Sequence, residues 1–157
     1  MFPRKFKRWL YKGERPNVLA RVINRGWEMV HSLGVAPNSL VTLIVAGRRS
    51  GRAISFPLAM VLLDGERYLV SMLGVNATWV RNVHAAGGRA TLRHGRTEQV
   101  LLEDVPVEQR GPILKAYLQS APGARPHIPV DKDAPLVEFK KIAAEFPVFR
   151  LVPNQKN

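Results

Sequence analysis

Apolar and polar positions alternate in short blocks through the middle of this chain. Leu40-Val41-Thr42-Leu43-Ile44-Val45-Ala46 is apolar and β-branched and predicts a buried strand. Ala53–Leu63 predicts a second strand and Arg67–Leu73 a third. Arg89–His94 and Arg96–Glu103 follow as a pair around His94-Gly95, and Val148–Val152 closes the set, making about six strands. Asp64-Gly65 marks a hairpin turn. Pro57 lies inside the second strand, where it cannot donate a ladder hydrogen bond, so it marks an edge, a bulge or a surface for a flat ligand.

Helical spacing appears between and around these blocks. Leu19, Val22, Ile23, Trp27, Val30 and Leu33 form one stripe over Val18–Leu33, with Asn17 as its cap and Gly34 as its stop. His31 near its end reads as a cap or surface residue rather than a ligand. Thr78 caps a short helix carrying Trp79, Arg81 and Asn82. Another helix runs after Pro106 to about Gln119, and a last one from Leu136 to Phe146. Ser120–Pro135 holds four prolines and reads as a long loop, of the kind that often serves as a lid or binding loop. Antiparallel hairpins interrupted by helices predict an α+β fold, a partly open β-barrel with helices packed outside. The expected division is a basic helical segment over residues 1–35 and a barrel domain over 36–157.

Charge sharpens this picture. The net charge is +12, from 24 Lys and Arg against 12 Asp and Glu, and points to an anionic partner. Residues 1–25 carry eight of the cations and one Glu. Phe2, Phe6, Trp9 and Leu10 fall near helical spacing among Arg4, Lys5, Lys7, Arg8 and Lys12. That segment reads either as a helix docked on the body or as one lying on an anionic membrane surface. The chain has no Cys, which excludes disulfides and thiolate metal sites, and its four His lack the spacing of a metal site. No apolar run reaches the roughly 18 residues of a spanning helix, and no signal peptide is evident. Nucleic-acid binding finds little support, because the strands are mostly aliphatic rather than aromatic stacking platforms. The expected location is the cytoplasm, with a peripheral place at the inner membrane face if the N-terminal segment binds lipid.

The candidate chemistry lies in Gly47-Arg48-Arg49-Ser50-Gly51, followed by Arg52. Backbone N–H groups, a hydroxyl and three guanidinium groups in a tight turn suit a phosphate. The plainer alternative is a solvated hairpin tip. Dinucleotide, Walker A and nucleophile-elbow patterns are absent. The acidic residues at 98–108 read as a solvated face rather than an acid/base pair.

In order along the chain stand Gly47–Gly51, Pro57, Asp64-Gly65, Ser71-Met72-Leu73-Gly74, Trp79-Val80-Arg81-Asn82 and the closing Phe146–Pro153. This ordered set, over about residues 38–153, resembles the deazaflavin (F420)-dependent nitroreductase and quinone reductase family, whose fold is a split β-barrel of the flavin-reductase, FMN-binding-like kind. The resemblance implies an anionic coenzyme F420 held across the barrel face. Arg48, Arg49, Ser50, Gly51 and Arg52 would take its phosphate and tail, Phe56 and Pro57 would back its ring, and Met72, Leu73 and Gly74 would line its chain. Trp79 and Asn82 would fix the short helix against it, although Trp79 reads equally as core. Tyr117 and His127 would line the site of a hydrophobic acceptor. The implied reaction is hydride transfer to a quinone or nitroaromatic, with no catalytic side chain and no metal. This chain has Tyr117, His127 and Phe139 where nitroimidazole-reducing members place several tyrosines, which weakens the case for nitroreduction. The alternative is a non-catalytic F420- or lipid-binding protein at the membrane surface.

Overall fold

The structure is a computed structural model and describes residues 39–154. The basic segment over residues 1–35, with its two expected helices, lies outside the described residues. Six strands form: β1 (Leu40–Ala46), β2 (Ala53–Leu63), β3 (Glu66–Val70), β4 (Arg89–His94), β5 (Arg96–Asp104) and β6 (Val148–Pro153). Three α-helices accompany them: α1 (Thr78–Ala85), α2 (Arg110–Ser120) and α3 (Leu136–Ile142).

All pairings are antiparallel, in the order β1-β2-β3-β6-β5-β4, and the sheet closes on itself. The expected six-stranded antiparallel barrel is therefore present, and its seam is closed rather than partly open. The closing seam is short, with Thr42, Leu43 and Ile44 of β1 opposite Arg93, Leu92 and Thr91 of β4.

Alternation divides the strands between two cores. Val41, Leu43, Val45, Phe56, Met60, Leu69, Ala90, Leu92, Val100, Leu102, Phe149 and Leu151 fill the barrel, and Trp79, Val80 and Val83 of α1 join them. Antiparallel order brings the ends of β1, β3 and β5 to one end of the barrel, where α1 packs. The opposite face of β2 contributes Ala59 and Val61 to a second core with Ile113, Leu114, Tyr117, Leu118 and Phe139 of the outer helices.

The Ser120–Pro135 stretch is not an open lid. Pro122–His127 coils into a 3₁₀ helix, and Ala121, Ala124 and Ile128 are buried in the outer core. Lys115 Nζ donates to the Ala134 carbonyl at 3.0 Å, and Arg125 Nε to the Leu118 carbonyl at 3.2 Å. Among the described residues, no helix is long and apolar enough to cross a membrane.

Candidate functional site

The β1–β2 connection is built from its own backbone. The Gly47 N–H donates to the Arg52 carbonyl at 2.7 Å, and the Gly51 N–H to the Gly47 carbonyl at 2.8 Å. The Arg52 N–H donates to Ser50 Oγ at 3.2 Å, which leaves the Ser50 hydroxyl proton free to donate outward. A Cβ on Gly47 would fall 2.8 Å from Ile54 Cδ1 and 2.9 Å from Ser50 Oγ, so a side chain there would have to displace both of those side-chain ends. Among the described residues, the N–H groups of Arg49 and Ser50 have no acceptor.

Helix α1 braces this turn. Its first residue is Thr78, with Ala77 in the capping position and no side-chain cap, so Thr78 does not cap as expected. The Trp79 ring stands 5.5 Å from that of Phe149, between centroids, inside the barrel core. Asn82, 1% exposed, shares the buried side of the helix. Its Oδ1 accepts from the Arg48 N–H at 3.3 Å and from Arg48 Nη1 at 2.9 Å. Both partners are donors, which fixes the oxygen toward Arg48. Asn82 Nδ2 is the one buried side-chain polar atom without a partner among the described residues.

The turn is crowded with positive charge. Loss of hydration, then the cations of Arg81 and Arg49, hold the Arg48 guanidinium below its ordinary pKa, though a guanidinium remains charged at neutral pH. Among the described residues, Arg48, Arg49, Arg52 and Arg81 form no ion pair. Three acids of β5 have partners elsewhere. Glu98 takes Arg67 in a two-point contact at 3.0 and 2.9 Å. Glu103 pairs with Arg150 at 2.6 Å, and Asp104 with His84 at 3.0 Å. Two acids of the 98–108 run are thus matched to guanidinium groups and a third to an imidazole.

The other expected site residues are dispersed. Phe56 points into the barrel, so Pro57, one step along the strand, faces outward, and the two cannot back one ring together. Pro57 lies opposite Thr42, which in turn lies opposite Arg93, in one outward row across β2, β1 and β4. β3 stops at Val70, so Met72, Leu73 and Gly74 stand in a loop rather than a strand. Ser71 Oγ closes that loop by donating to the Gly74 carbonyl at 2.7 Å, and the Ser71 N–H ties it to the Pro147 carbonyl at 2.9 Å. Met72 leans on the outer core while Leu73 is exposed. Tyr117 is buried within the outer helix layer, where desolvation pushes its phenol pKa up, and His127 is exposed on the 3₁₀ segment. Neither is brought to the turn. Arg81, which adds a fourth cation beside Arg48, was not among the expected site residues; its signal is the residue before Asn82 in Trp79-x-x-Asn82.

A separate groove of about 350 Å³ lies on the outer face of β3, β5 and β6, lined by Leu63, Asp64, Tyr68, Glu103, Ile113 and Arg150 among others. Its Arg150 is held by Glu103 and Glu66.

No family model and no curated protein matches the chain. Solved structures do. An F420-H2-dependent reductase (FDR-A) is 20% identical with a TM-score of 0.50, over 75% of this chain and 97% of the other. An F420 reductase is 12% identical with a TM-score of 0.50, over 80% and 92%. An Agrobacterium tumefaciens protein of unknown function is 12% identical with a TM-score of 0.54, over 83% of this chain and 58% of that one. The likeness is one of fold and establishes the split β-barrel with helices outside.

Proposed function

We propose that the protein is a deazaflavin-dependent oxidoreductase that uses an F420-type coenzyme and an electron-poor acceptor such as a quinone or nitroaromatic. The observation that carries this reading is the turn at Arg48–Arg52, a set of donors with no acid partner among the described residues and braced from below by Asn82. Backbone N–H groups at Arg49 and Ser50 without an acceptor among the described residues, the Ser50 hydroxyl and four guanidinium groups fit a phosphate-bearing, multiply charged coenzyme. The fold shared with two F420 reductases supports the same choice.

Hydride chemistry would come from the coenzyme's ring when bound. The chain's own contribution is binding and orientation. Arg48, Arg49 and Arg52 would hold the phosphate end, and Ser50 and the turn's N–H groups would fix its register. No side chain is assigned a proton or a nucleophilic role.

The test is a fluorescence titration with oxidised F420 and with flavin mononucleotide. F420 is expected to bind more tightly. Arg48→Ala and Arg49→Ala should each weaken it by roughly 1.5–3 kcal/mol per phosphate contact, or about 10–150-fold. Equal or tighter binding of the flavin would overturn the assignment. Binding of reduced coenzyme with no oxidation on adding a quinone would make the protein a carrier rather than an enzyme.

A further inference from the structure

We propose that Asn82 is a positioning residue that aims the Arg48 guanidinium at an anion while leaving its charge unspent. This rests on the reading of the turn as an anion site and assigns the group that makes the site effective.

The comparison that points to it lies within the molecule. Arg67 and Arg150 are held by carboxylates, at 2.9 and 2.6 Å, and each is thereby neutralised. Arg48 is held instead by a neutral amide oxygen, through its backbone N–H and its side chain at once. An amide accepts a hydrogen bond as a carboxylate does but brings no negative charge. Arg48 is therefore oriented and remains a full cation, beside the like charges of Arg49 and Arg81. Such crowding of cations is unfavourable in the empty protein and is relieved when an anion binds.

Asn82 is suited to this by its mounting. It sits on a helix whose neighbouring side chains, Trp79, Val80 and Val83, are sunk in the barrel core. A side chain on such a base has little rotameric freedom, so the guanidinium it holds is pre-organised. Its Nδ2 is buried with no partner among the described residues, so the second end of the amide brings no negative charge to the cluster either. A residue kept only to tie α1 to the turn would work as well as an aspartate, which would form a stronger link to Arg48. The neutral amide is what the anion requires.

The probe is inorganic pyrophosphate, titrated calorimetrically into the full chain at fixed ionic strength, with thermal unfolding recorded for each variant. The wild type is expected to bind, and Arg48→Ala to lose most of that affinity. Asn82→Asp should bind at least tenfold more weakly than wild type, because its carboxylate neutralises Arg48. Asn82→Ala keeps the charge but loses the aim, and should be weakened about threefold or more. The affinity order is then wild type, alanine, aspartate, whereas aspartate should unfold no earlier than alanine. A tether with no electrostatic role gives the same order in both measurements, with alanine worst in each, and that result overturns the proposal. If the aspartate variant folds poorly, wild-type affinity in Asn82→Ala alone overturns it. Pyrophosphate binding that needs Arg48 but is unchanged in both Asn82 variants removes only this inference. No binding to the wild type removes the anion site itself and this inference with it.

Discussion

Gly88→Ala tests how tightly α1 is mounted. Gly88 links the end of α1 to β4 and sits at φ +83°. Its N–H donates to the Val83 carbonyl at 2.9 Å, and its carbonyl accepts the Leu102 N–H at 2.8 Å. A Cβ there would fall 2.6 Å from the Leu102 carbonyl oxygen, which is backbone of β5 and opposite Leu151 of β6. That oxygen cannot retreat without pulling the ladder. Alanine in the left-handed region costs about 1–2 kcal/mol, and relieving the clash by backbone shift or angle strain adds about 2–3 kcal/mol. The total is about 3–5 kcal/mol. Gly51→Ala is the control: its φ is +72°, and nothing lies within 4 Å of an added Cβ. It should cost only the conformational part, about 1–2 kcal/mol. At about 2–4 °C per kcal/mol for a chain of this length, Gly88→Ala should lower Tm by about 6–20 °C and Gly51→Ala by about 2–8 °C. Urea and thermal unfolding of the two proteins side by side give the comparison. Equal losses would refute the reasoning, since the carbonyl contact would then add nothing to the backbone cost.

Two further outcomes are expected. Arg67 holds the Glu98 carboxyl below the usual carboxylate range, first through their hydrogen bonds and then through charge. A lowered folded pKa stabilises above the unfolded value near 4.3 and is lost as pH falls through the folded one. Glu98→Gln should therefore cost about 0.5–1 kcal/mol in urea unfolding at pH 7, with the gap closing below about pH 4. A gap that stays constant from pH 7 to 3 would contradict this. Arg110 donates from Nε to the Val105 carbonyl at 2.9 Å and from Nη1 to those of Ala143 at 3.0 Å and Phe146 at 3.5 Å, joining the end of β5 to the segment before β6. Arg110→Met leaves these carbonyls short of donors and should cost about 2–4 kcal/mol of urea-measured stability. A loss under 1 kcal/mol would mean that water replaces the guanidinium.

The strands were legible because their signals are local. The apolar run at Leu40–Ala46, the Asp64-Gly65 turn and the bounds of β2 need no knowledge of distant residues. β3 ended three residues early, because the Ser71 N–H and Oγ are taken by Pro147 and Gly74, and no pattern within Arg67–Leu73 announces that. Closure of the barrel depends on three β1–β4 pairs some fifty residues apart, a contact that hydrophobic periodicity cannot encode. At the site, the turn's residues could be named from composition, but the Arg48–Asn82 contact joins positions 34 apart and appears only when α1 is set on the barrel end. Phe56 shows a different failure. It and Pro57 are neighbours on one strand, whose two-residue period sends them to opposite faces. Tyr117 looked available in a helix beside a proline-rich loop, yet that loop folds down on it.

The place of β6 has a consequence for synthesis. Val148–Pro153 is the last of the described strands, yet it lies between β3 and β5, which are made much earlier. Until it arrives, β3 and β5 each show an unpaired edge, and the outer core lacks Phe146 and Val148. A ribosome-bound chain that has already made α1 and the arginine turn therefore holds them on an open, twisted sheet rather than on a barrel. Both exposed edges must be shielded from neighbouring chains until the final strand slots between them.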